Sequence, residues 1–95
     1  MTVFEEIMEK FLAGQRLSHN ELVTLLEDEK TTVVWANTNG NWTNGKSVFE
    51  YKGSTYRVGW KILRKINVEY DAVYQPEKVI NVSPPGKKPF YQEVA

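Results

Sequence analysis

An α+β fold is predicted, with an N-terminal helical hairpin packed on an antiparallel, twisted sheet of four to five strands. Three observations predict it. Residues 3–28 carry apolar side chains at helical spacing behind two capping boxes. Residues 47–63 alternate apolar and polar with the two-residue period of a strand pair. Turn formers punctuate everything after Lys30: Asn39-Gly40, Asn44-Gly45, Gly53-Ser54 and Gln75-Pro76. Ninety-five residues, 41% hydrophobic and 13% aromatic, supply one core. A single domain over residues 1–83 is therefore expected, followed by a Pro- and Lys-containing tail over residues 84–95 that is extended or loose.

The helices come first. Thr2 and Glu5 have capping-box spacing, and Val3, Phe4, Ile7, Met8, Phe11 and Leu12 make an apolar stripe that ends near Ala13 at Gly14. Ser18 and Glu21 repeat the box, with Leu17 and Leu22 placed as a hydrophobic staple; Leu22, Val23, Leu25 and Leu26 continue to about Asp28. The short link between the two predicts an antiparallel helical pair. Each stripe needs a cover, and a one-sided sheet needs the same.

The strands follow. Residues 31–36 are β-branched and aromatic, hence a strand, whereas residues 37–46, rich in Asn, Thr and Gly, read as a loop. A type II′ turn at Gly53-Ser54 sets Tyr51 opposite Tyr56 and Glu50 opposite Arg57 as an ion pair. Phe49, Tyr51, Tyr56, Val58, Trp60 and Ile62 then share one face, with Arg57 and Lys61 on the other. Ile66, Val68, Tyr70, Ala72 and Tyr74 alternate as a further strand, and Val79, Ile80 and Val82 form a short last one. Trp35 and Trp60 are expected in the core.

Composition narrows the function. The chain has no cysteine, which excludes disulfides, thiol chemistry and zinc–thiolate sites. Glu5, Glu6, Glu9 and Lys10 interrupt any secretion-signal pattern, and no apolar run approaches a membrane span, so a cytoplasmic protein is expected. The glycosylation sequons at Asn41 and Asn81 are then chance matches. Formal net charge is zero but polarised. Through Lys30 seven acidic side chains face three basic ones, net −4; the remainder carries nine basic against five acidic, net +4. The split predicts weak head-to-tail association of copies, screened by salt.

No catalytic constellation emerges. His19, the sole histidine, stands beside Glu21 at a helix start without a nucleophile or a second histidine, so a solvated role is expected. Glu27-Asp28-Glu29 matches no calcium-loop spacing, and no phosphate loop or dinucleotide fingerprint is present. The expectation is a non-enzyme without cofactor or metal: a small protein-binding adaptor or inhibitor, of the kind phages and mobile elements carry. Its contact residues would be Trp42, framed by Asn39, Asn41 and Asn44 as a rigid ring in an adaptable setting, and Phe90 and Tyr91 in the tail. The alternative is nucleic-acid binding through Arg57, Lys61, Arg64 and Lys65 on a basic sheet face. Against it stand a pI near 6.6 and the expectation that rings and cations occupy opposite sides of the hairpin. A winged-helix reading fails because residues 29–37, where a recognition helix would fall, are a poor helix.

Overall fold

The computed structural model describes residues 1–63, 69–84 and 86–94. Helices α1 (Val3–Leu12) and α2 (His19–Glu27) lead into strands β1 (Thr32–Asn39), β2 (Trp42–Tyr51), β3 (Ser54–Leu63), β4 (Ala72–Val73), β5 (Glu77–Asn81) and β6 (Tyr91–Glu93). Every pairing is antiparallel, in the order β1-β2-β3-β5-β6, with β4 beside one end of β3. The chain is α+β, as expected, with six strands among the described residues rather than four or five.

Both helix starts are closed by the predicted boxes. The Thr2 hydroxyl accepts from the Glu5 N–H at 3.1 Å while the Glu5 carboxylate accepts from the Thr2 N–H. Ser18 and Glu21 do the same, and the Glu21 carboxylate also takes Lys10 Nζ of α1 at 3.0 Å. Backbone N–H donation at the caps, joined at Glu21 by Lys10, holds both carboxyls below the usual carboxylate range. The apolar stripes, with Phe4, Met8, Leu22 and Leu25 at their centres, belong to one buried cluster with Phe49, Tyr56, Val58 and Trp60 of the sheet. Phe4 meets Phe49 edge-on at 5.1 Å, and Phe11 meets Tyr56 edge-on at 6.0 Å. The Gln75 amide reaches across 58 positions to the interhelix link, accepting from the Leu17 N–H at 3.0 Å and donating to its carbonyl at 2.9 Å.

The predicted inward face of the β2–β3 hairpin is correct, but its register is not. The turn is Lys52-Gly53, with φ of +48° and +78°, the signature of a type I′ turn, so Tyr51 meets Ser54 and Phe49 meets Tyr56. The pairing slides by two residues, and because side chains alternate with period two, every residue keeps its face. Packing selects this register. Trp60 lies over Gly45, where a Cβ would stand 2.1 Å from the indole ring, and its N–H donates to the buried Ser47 hydroxyl at 2.9 Å. The left-handed Lys52 is held by Glu9 of α1, 2.9 Å from its Nζ. Glu9 also accepts the Tyr51 hydroxyl. That bond pushes the Tyr51 phenol up to about 12 and, with Lys52, holds Glu9 below its usual range. The expected Glu50–Arg57 pair does not form: Glu50 meets Thr55, and Arg57 pairs with Glu77 of β5.

Four further expectations are corrected. Residues 37–46 are not a loop; they close a β1–β2 hairpin at Gly40-Asn41, with Gly40 at φ +64°. Asn44-Gly45, read as a turn, lies inside β2, where pairing on both sides outweighs poor strand propensity. Of the alternating stretch from 66 to 74, the described residues pair only at Ala72–Val73, and Ile66 and Val68 lie outside the described residues. Finally, residues 91–93 of the tail return as β6 on β5, so the strand around Val79 is not the last.

Candidate functional site

Strand pairing assigns each side chain to one of two faces. The inner face, which carries Phe49, Val58 and Trp60, is buried with the helices. The outer face collects the partners that lie between them in register. Across the sheet it runs Trp35–Lys46–Gly59, Asn37–Asn44–Lys61, Asn39–Trp42–Leu63, Val48–Arg57–Glu77 and Asn81–Tyr91.

This overturns two expectations. Trp35, expected in the core, is 49% exposed, because a bulge between Val33 and Trp35 shifts the alternation and brings Trp35 onto the outer face opposite Lys46. Trp60 is buried, as expected. The separation of rings from cations also fails: the hairpin's own rings point inward, but β1, the start of β2 and the C-terminal segment supply others to the side of Arg57 and Lys61. Lys61 Nζ stands 4.3 Å from the centroid of the Trp42 ring, a cation–π contact. Tyr74 lies over Gly59, where a Cβ would be 3.2 Å from its ring, and is exposed.

The outer face is concave. β1 and β6 are the two ends of the strand order, yet Trp35 of β1 and Tyr91 of β6 line one open cleft of about 550 Å³, with Lys46, Arg57, Lys88 and Phe90. The sheet therefore curls toward this side. Val48 and Val79 form its buried floor, apart from the main core. Arg57 is committed to the fold. Its Nε donates to Glu77 at 2.6 Å and its Nη1 to the Tyr91 carbonyl at 3.3 Å, tying β6 to β3. Its charge is matched, unlike those of Lys46, Lys61 and Lys88, which take part in none of the ion pairs among the described residues.

The structure thus brings together residues expected to belong to separate surfaces. Trp42, Asn39 and Asn44 share the outer face with Tyr91, Phe90 beside it, and with Arg57 and Lys61. Asn41 sits in the exposed β1–β2 turn, and Arg64 and Lys65 lie outside the described residues. Trp35 and Tyr74 are not expected at a contact surface from sequence, and Lys46 and Lys88 are expected only near the polar face of the hairpin. For Lys46 a signal existed: Trp42, Asn44, Lys46 and Val48 recur with period two, once residues 42–48 are read as strand.

Comparison of the chain with family models, with curated proteins and with solved structures returned no match. Among the described residues, no group of three or more His, Cys, Asp or Glu is placed to hold a metal ion. Among the described residues, no helix is long and apolar enough to cross a membrane.

Proposed function

We propose that this protein is a small non-catalytic interaction module whose contact surface is the concave outer face of the sheet. One observation carries the proposal: exposed rings at Trp35, Trp42 and Phe90 share a face with Lys46, Lys61 and Lys88. Rings set among cations give a docking surface both apolar area and charge, the two components of strong interface anchors. The helical pair, in this reading, is the cover that keeps the opposite face dry. An adaptor or inhibitor role fits a chain of this size, and the acidic N-terminal third leaves the outer face as the cationic pole. Work in the cytoplasm belongs to the same proposal.

Oxidative footprinting tests it. Adding concentrated lysate of the source cells should protect Trp35, Trp42 and Phe90 from labelling while the helix surface around Leu12 stays accessible. Protection confined to the helices would overturn the proposal.

A further inference from the structure

We infer that the outer face takes single-stranded nucleic acid, with bases stacked on Trp35 and Trp42 and phosphates held by Lys46, Lys61 and Lys88. This rests on the outer face being the contact surface and names its ligand. Three features favour a polynucleotide. First, stacking requires rings that water can reach, and Trp35 and Trp42 are 49% and 36% exposed on one face. Second, the two indoles are separated by the four-residue step from Trp42 to Lys46, the partner of Trp35, about 13 Å along the strand. That leaves room for a strand of bases to run between them. Third, Lys46 and Lys61 sit between or beside these rings in register, so cations and stacking surfaces alternate as a phosphate backbone with attached bases demands. Lys61, already over Trp42, adds charge to a stacked base.

A duplex hides its base faces inside the stack and cannot use the indoles; a single strand presents them. An acidic peptide would satisfy the lysines but leave the flat rings without flat partners. Asn37, Asn39 and Asn44 supply amide donors and acceptors on the same face, which suits base edges of any identity.

The probes are fluorescein-labelled twelve-residue oligo-dT, oligo-U and a twelve-base-pair duplex, read by fluorescence polarisation, with a poly-glutamate peptide as competitor. Oligo-dT or oligo-U should bind at least tenfold more tightly than the duplex, and the tighter of the two assigns DNA or RNA. Three phosphate contacts predict roughly a twentyfold loss of affinity between 50 and 200 mM salt. Lys46→Ala should reduce that salt slope by about 0.7, and Trp35→Ala should weaken binding about tenfold. Lys46→Ala touches no core contact, so it remains informative should Trp35→Ala lose stability.

Duplex binding as tight as the single strand would overturn the inference, as would no binding of either oligonucleotide at 50 mM salt. Displacement by poly-glutamate at equal charge would mark the site as a general acidic-partner surface and overturn it too. The broader proposal has its own readout. Footprint protection that survives nuclease treatment of the lysate would sustain a protein-binding module while removing the nucleic-acid ligand. Oligonucleotide binding unchanged in both variants would place the ligand elsewhere and overturn the inference.

Discussion

The two faces of this sheet use the same kind of residue for opposite ends. On the inner face, Phe49, Tyr56 and Trp60 are buried, stacked or edge-packed, and the Trp60 N–H is matched by the Ser47 hydroxyl. On the outer face, Trp35, Trp42, Tyr74 and Phe90 keep between about a third and two thirds of their surface in water, set beside lysines. A ring is not assigned to the core by being a ring. Strand parity decides, and a single bulge at Val34 moved Trp35 from one population to the other.

The contrast can be broken by substitution, beginning where the largest effect is expected. Phe49→Ala removes a fully buried ring from the cluster and should cost about 3–5 kcal/mol in urea unfolding, enough to populate the unfolded state of a small domain. Gly45→Ala forces a methyl group into the Trp60 indole and should cost about 1–3 kcal/mol, with loss of near-ultraviolet dichroism from that ring. Ser18→Ala removes a cap and should cost about 1 kcal/mol. Phe90→Ala on the outer face should stay within about 0.5 kcal/mol of the parent. A loss as large as that of Phe49→Ala would show that the faces do not divide as described.

The smallest effect is electrostatic. Glu9, Glu21 and Glu5 titrate below their unfolded range, so the stability they add is present at neutral pH and is lost as pH falls through their folded values. Tyr51 is raised, so its contribution is intact below about 10, the unfolded value, and disappears as pH climbs toward about 12. Glu9→Gln should flatten both limbs of a stability–pH profile, whereas Lys46→Ala should leave both unchanged.

Much of the inner face was legible from residues alone. Capping boxes are local, so Thr2–Glu5 and Ser18–Glu21 could be read directly, and period-two alternation identified the buried side of β2 and β3. Register was not legible, because Gly53-Ser54 and Lys52-Gly53 are both acceptable turns and preserve the same faces; the choice depends on Trp60 finding Gly45. The outer face was hidden for a related reason. Asn- and Gly-rich residues 37–46 have the composition of a loop, and only the pairing of β1 with β2 and of β2 with β3 makes them strand. The approach of Phe90 and Tyr91 to Trp35 depends on the curl of the whole sheet.

Gln75 holds Leu17 as a neighbouring strand would, taking one main-chain donor and one acceptor with a single side chain. On a ribosome the two residues are made far apart in time. Leu17 leaves the exit tunnel with its own peptide groups bound only to water, and most of the chain must follow before the amide arrives. The interhelix link is therefore completed only after residue 75 has emerged, although it is synthesised near the start.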